Sequence, residues 1–585
     1  MSTSTTPPDS GTQDVGAVRL ATGLVQGLAM LALHRASDAK LWPITEPALF
    51  WPLILIVVFV PILVLGGVGA MRRGTLVVWA ITGAAVAAGL AAYDVLRQSP
   101  ISPSFSPSLT FPAVLAVAAA LFIAHHLIVA ADQARRPIAP YPDYFDVAWK
   151  DGVQLALSLA FVGVFWVVLY LGAALFKVIG IGAFQEIIQK DWFALPATGL
   201  VFAGAVQLTD VRIALIRGVR TVGLALLSWL MPLMAVIAAA FLIALPFTGL
   251  KPLWKAGSST GLLLSAAAAL IVLINAAYQD GDPERRPASI LRHAGRLAAV
   301  VLAPMVAIAV YGLWLRVGQH GWTPERIIAS ACALVAACYA TGYLIAAVMP
   351  GPWLKPLEAT NIATAGVVLA AILALFTPIA DPARISVADQ VHRLTSGATA
   401  PDKFDYNFLR FKAARYGVDA LHTLAAMKTG PGAAAIAAQA KATLTLGSPL
   451  VPHPKTAKQL AADIAVYPKG RTLPAGLLDQ PRLQLGAFDS PCSTTCEAYF
   501  VDFDGDGVDE AVFGSQYSLM AFAKKPDGTW TELGSLAPAD CDVRDALRQG
   551  KFQFASPKWR DMELAGKRVH LTPNDDEKAR NLNCK

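Results

Sequence analysis

Long apolar runs punctuate the first two thirds of the chain, near 17–33, 47–69, 75–93, 110–131, 152–176, 192–208, 221–246, 258–278, 296–315, 325–349 and 360–379. About 20 helical residues cross a roughly 30 Å hydrocarbon core, so the pattern predicts eleven membrane-spanning helices. The first run is short and begins with Arg19, and the run at 192–208 is also short, which makes ten spans the rival count. Beyond Pro382 the pattern changes. Residues 385–395, 405–427, 432–445 and 455–467 have helical periodicity. From Leu483 onward short β-like runs follow one another: Leu483–Leu485, Ala498–Val501, Ala511–Phe513, Ser518–Ala521 and Thr529–Thr531. The expected fold is an α-helical polytopic membrane protein with a C-terminal soluble α+β domain. It divides into a disordered polar tail (1–15), a transmembrane helical domain (16–382), a helical soluble segment (383–470) and a β-rich module (471–585). Residues 1–15 have no basic segment, so no cleaved signal peptide is expected.

Composition sharpens this division. The chain has 585 residues, 55% apolar and 15% charged, and a mean hydropathy of +0.51. Asp, Glu, Lys and Arg make up 41 of residues 1–382 and 48 of residues 383–585. The two parts are therefore built for different solvents. The net charge of +7 is not a nucleic-acid signature, because there is no long basic run and most of the surplus lies in short loops between apolar runs. With the N-terminus inside, cytoplasmic loops hold 13 Lys and Arg and the opposite loops 9, a modest positive-inside bias. An odd span count then carries the tail across the membrane.

The cysteines agree with that side. Cys492, Cys496, Cys541 and Cys584 all lie in the tail, an even set suited to disulfides in an oxidising compartment. Half of a zinc site at Cys492-x3-Cys496 is the alternative, but His453 and His570 are distant. The expected location is a bacterial inner membrane, with a cytoplasmic N-terminus and a periplasmic tail. Cys332 and Cys338 read as small packing residues within a span.

One motif has chemistry in its spacing. Residues 502–510 read Asp-Phe-Asp-Gly-Asp-Gly-Val-Asp-Glu. Carboxylates at positions 1, 3 and 5 of a tight turn, Gly at 6 and a carbonyl at 7 can build an oxygen cage for Ca²⁺. A full EF-hand fails, because position 12 is Phe513 and the flanks read as strands. The loop instead resembles the calcium loop of FG-GAP-type repeats, with Gly514 after the apolar run. That resemblance implies side-chain ligands Asp502, Asp504, Asp506 and Glu510, a backbone ligand at Val508, and Asp509 in the outer shell or solvated. The competing reading is a metal-free acidic turn, although five carboxylates in nine residues repel unless neutralised.

Other patterns weaken on inspection. Gly257-Ser-Ser-Thr-Gly261 matches a nucleophile elbow, but it lies at the mouth of a span instead of between strand and helix. His125 and His126 are about 100° apart on a helix and are expected near an interfacial end, not facing one site. Asp94 and Arg97 read as a solvated pair. Gln154, Gln207 and Asn275 read as interhelical hydrogen-bonding groups. No acidic residue lies clearly at the middle of a run, which weakens ion-coupled transport.

The run Tyr141-Pro-Asp-Tyr-Phe-Asp-Val-Ala-Trp-Lys-Asp-Gly-Val-Gln154, with Phe165-Trp166 and Leu175–Gly180, resembles a group of bacterial multi-pass membrane proteins defined by domain of unknown function 4153. So do Trp314–Arg326 and the tail segments Phe404–Tyr406, Leu409–Phe411 and Arg415–Gly417. The resemblance covers most of residues 15–425 and implies a fold but no activity. No catalytic constellation stands out. The reading that remains is a scaffold or sensor in the lipid bilayer, presenting a Ca²⁺-stabilised periplasmic domain to a protein or envelope ligand. A transporter or channel with an accessory domain is the alternative.

Overall fold

The computed structural model describes residues 10–99, 106–211, 213–249, 259–282, 287–446, 461, 464–474, 476–479, 496–514, 519–536, 541–554, 562–564 and 567–569. Its helices are α1 (Ser10–Asp38), α2 (Pro47–Gly67), α3 (Arg73–Leu96), α4 (Phe111–Ala134), α5 (Tyr141–Val178), α6 (Ala183–Ile188), α7 (Asp191–Val211), α8 (Ile213–Thr248), α9 (Ser259–Tyr278), α10 (Ser289–His320), α11 (Pro324–Val348) and α12 (Leu357–Leu375). Shorter helices follow: α13 (Pro382–Thr395), α14 (Tyr406–Phe411), α15 (Ala414–Ala425), α16 (Ala433–Leu444) and α17 (Cys541–Gln549). Among the described residues, eleven helices (all of α1–α12 except α6) are long and apolar enough to cross a membrane. The protein is thus multi-pass, with the span count read from the apolar runs. The chain forms two compact units, residues 1–404 with 412–420 and 430–432, and residues 405–411, 421–429 and 433–585.

Helix ends follow local chemistry. Thr323 caps α11 by accepting from the Arg326 amide at 3.4 Å, with Pro324 and Glu325 in the first turn. Asp381 caps α13 through the amides of Ala383 and Arg384, and also accepts from Tyr93 at 2.6 Å. Asp94 is not solvated. It is 1% exposed, takes the Thr110 amide at 2.8 Å and faces Arg97 Nε at 3.2 Å. A carboxylate buried at a span end needs such donors, and the fold supplies them.

Two devices join the spans. The first is steric: a Cβ on Gly199 of α7 would lie 2.2 Å from the Gly23 carbonyl of α1, and one on Gly27 would lie 2.5 Å from Pro196 Cα. Backbones can approach this closely only without side chains. The second is polar. Arg19, 3% exposed, donates to Gln207 at 2.7 Å, Asp210 at 2.9 Å and the Val68 carbonyl at 3.0 Å. Lys150 of α5 reaches the other oxygen of Asp210 at 2.9 Å. The residue that made the first span look weak is what fastens it. Elsewhere Asn275 of α9 donates to Tyr343 of α11 at 2.6 Å, and Asn361 of α12 donates to Asn275 at 2.6 Å. Gln154, Gln207 and Asn275 all bridge helices, as their sequence positions suggest.

The second unit contains a five-stranded sheet, order β1-β2-β3-β4-β5, from β1 (Ile464–Val466), β2 (Cys496–Val501), β3 (Glu510–Gly514), β4 (Leu519–Lys524) and β5 (Trp530–Leu536). β1 runs parallel to β2 and the other neighbours are antiparallel. A separate hairpin pairs β6 (Met562–Leu564) with β7 (Lys567–Val569). Ile464–Val466 is a strand where the sequence suggests the end of a helix. Pro468 biases the residue before it toward extended backbone, and pairing with β2 supplies the hydrogen bonds. Four expected strands appear, while Leu483–Leu485 lies outside the described residues, as do Cys492 and Cys584. Cys496 is buried.

One face of the sheet buries Ala498, Ala511, Phe513, Met520, Phe522 and Trp530. The other buries Tyr499, Val512 and Leu519 against Val543 and Leu547 of α17. On that face Glu497 meets Arg544 at 2.9 Å, Arg548 at 2.5 Å and the Tyr499 hydroxyl. Burial alone would raise the Glu497 carboxyl, but hydrogen bonds from Arg548, Tyr499 and Arg544 outweigh it and hold the group below its ordinary value of 4.5.

Two outcomes follow from this packing. Gly199→Leu is expected to cost about 3 kcal/mol by forcing α1 from α7. Melting of the detergent-solubilised protein within a degree of the unmodified chain would contradict it. The Glu497 contribution is complete above the ordinary value of 4.5 and is lost as pH falls through the depressed folded value. The tail of Glu497→Gln should therefore melt lower at pH 7 and show a flatter acid-side dependence; parallel melting curves from pH 7 to 3 would refute this.

Candidate functional site

The Asp-rich loop is the turn between β2 and β3, where Val501 pairs with Glu510. Gly505 (φ +79°) and Gly507 (φ +85°) supply the left-handed backbone that lets the chain reverse so tightly. Carboxylate oxygens of Asp502, Asp504 and Glu510 lie within 4.8 Å of one another. Asp502 accepts from the Gly505 amide at 2.7 Å and the Gly507 amide at 3.0 Å. Glu510, 6% exposed, accepts from the Phe503 amide at 2.8 Å. The loop thus brings three of the four expected side chains together.

Asp506 does not join this group. Its Oδ1 accepts from the Val508 amide at 2.7 Å, and the Val508 side chain is exposed. Asp509 is engaged elsewhere, paired with Arg471, whose guanidinium lies 4.3 Å over the Phe500 ring. Oxygen-only donors of this charge suit a hard cation such as Ca²⁺ better than a thiophilic metal.

A second polar cluster lies inside the helical unit. His125 and His126 of α4 both line a cavity of about 430 Å³, together with Asp151 and Gln154 of α5. His126 Nε2 lies 3.4 Å and His125 Nε2 3.9 Å from the same Asp151 oxygen. The expectation that the two histidines face different surroundings is corrected. Their Cα directions diverge, but each ring swings toward α5, and the centroids are 5.7 Å apart at 85°. His126 is 6% exposed and eight residues before the last residue of α4, about 12 Å at 1.5 Å per residue.

Asp151 escaped notice because the apolar run begins at 152, whereas α5 begins eleven positions earlier, at Tyr141. Its signal was Asp151 and Gln154 three apart, on one helical face, and the default that ionisable groups within spans are functional candidates. Trp79 Nε1 donates to His125 Nδ1 at 3.0 Å, and His126 Nδ1 lies 2.5 Å from the Phe122 carbonyl. Gln154 donates to the Val206 carbonyl at 2.9 Å and thereby fastens α5 to α7. The elbow-like Gly257–Gly261 is only partly described. Its residues from Ser259 onward are the start of α9.

Neither comparison with curated proteins nor comparison with solved structures gives a match. A family model described as "Domain of unknown function (DUF4153)" matches residues 48–426. That stretch takes in α2–α15, but for the first residue of α2, and includes both histidines and Asp151. By that match, which covers more than half its length, the chain belongs to the DUF4153 family.

Proposed function

We propose that this multi-pass membrane protein is a scaffold or sensor that presents a Ca²⁺-stapled soluble module to a protein or envelope ligand. One observation carries the reading: Asp502, Asp504 and Glu510 converge at a single β-hairpin turn. A cation there would neutralise three carboxylates and lock β2 to β3 in register. The module's two covered faces mark a folded domain that such a staple can hold rigid. The proposal places the N-terminus in the cytoplasm and the tail in the periplasm of a bacterial inner membrane. Loop charge and the odd span count support that orientation, and disulfide pairing of the tail cysteines fits the same compartment.

A transporter or channel with an accessory tail is the second reading. Its support is the meeting of His125, His126 and Asp151 beside a cavity within the spans.

The first reading is tested on the purified full chain by calorimetry in Ca²⁺ and in chelator. A ligand at about 100 times its Kd stabilises by about 2.7 kcal/mol, so the tail transition should rise with millimolar Ca²⁺. Asp504→Asn and Glu510→Gln should abolish the rise. A transition indifferent to Ca²⁺ would sink the staple. Orientation is checked by enzymes fused after Lys585. A fusion active only when cytoplasmic would overturn it.

A further inference from the structure

The partners of His125 and His126 select opposite tautomers when the two rings are neutral. Trp79 Nε1–H donates to His125 Nδ1 at 3.0 Å, so the neutral His125 ring has its proton on Nε2. His126 Nδ1 faces the Phe122 carbonyl at 2.5 Å, which can only accept, so the proton of the neutral ring is on Nδ1. His126 Nε2 is then a bare acceptor. It is buried and has no hydrogen-bond partner among the described residues. The atom facing it, Asp151 Oδ2 at 3.4 Å, is an acceptor too when the carboxyl is ionised. Two acceptors cannot satisfy one another, and leaving such atoms unpaired in a buried site is costly. On the other side of that carboxylate, His125 Nε2–H is a donor 3.9 Å away. With both rings neutral and the carboxyl ionised, the cluster has a place for one small group that donates to His126 Nε2 and accepts from His125 Nε2–H, and a hydroxyl does both.

The remaining walls say what should bear that hydroxyl. Phe59, Phe122 and Phe202 line the cavity, and its size of about 430 Å³ lies within the ordinary range of small-molecule sites, about 300–1,000 Å³. Leu115 (52% exposed) and Phe122 (41%) lie at its edge on the outer surface of an apolar helix, so access is lateral, from lipid. A charged head group would have to leave water to arrive by that route. We propose that this cavity binds a lipid-soluble alcohol or phenol. Its O–H donates to His126 Nε2, the unpartnered acceptor, its oxygen accepts from His125 Nε2–H, and its apolar body lies among the three phenylalanines.

The test uses the full chain in lipid nanodiscs with tritiated farnesol, and with farnesyl methyl ether, which keeps the body and loses the donor. Farnesol should bind saturably, one per chain, and the ether at least ten-fold more weakly. His126→Phe should bring farnesol down to the level of the ether, and Ala118→Trp, which fills the cavity, should abolish both. Absence of saturable farnesol binding would overturn the proposal, leaving a proton or a water in the gap. Equal binding of alcohol and ether would overturn it too, and so would unchanged discrimination in His126→Phe. The alcohol–ether comparison needs no substitution, so it decides the matter even if a variant fails to fold.

Discussion

Hydrocarbon offers no hydrogen bond, and that constraint orders the helical unit. Polar side chains within spans are drawn to partners in the protein. Arg19 therefore takes Gln207, Asp210 and the Val68 carbonyl together. Asn275, Tyr343 and Asn361 close a small ring of hydrogen bonds among three helices. Since water-driven apolar association is missing between spans, close backbone approach at Gly23, Gly27 and Gly199 provides much of the remaining adhesion. The polar clamps fix which helix meets which, and the glycines fix how near they come.

The soluble module meets the opposite condition. Water would gladly solvate Glu497, yet the sheet buries it and returns two arginines and a tyrosine. Such a cluster is weak evidence for stability compared with an apolar replacement. Its clear effect is geometric, because it anchors α17 to one face of the sheet beside Val543 and Leu547. The Asp-rich turn lies at the end of the same β2 strand, so the strand has a polar anchor near its start and an acidic loop at its end.

Length and hydropathy made the spans legible, because the physics of crossing a bilayer is one-dimensional. The Asp-rich loop was legible for a similar reason, all its groups lying within nine residues. What stayed hidden depended on pairing across the fold. Asp151 sits 25 positions from His126, and nothing in either neighbourhood announces the other. Asp94 looked solvated because Thr110, whose amide it accepts, meets it only once α3 and α4 pack. Ile464–Val466 looked helical because a parallel partner strand 32 residues away cannot be read from local periodicity.

The Arg19–Asp210 pair has a consequence in time as well as space. Its members are 191 residues apart. At synthesis rates of roughly 5–20 residues per second, about 10 to 40 s separate their emergence. During that interval the first helix has an arginine whose counter-charge is not yet made. The polar clamp on the first helix can therefore close only after the sixth apolar helix has been made.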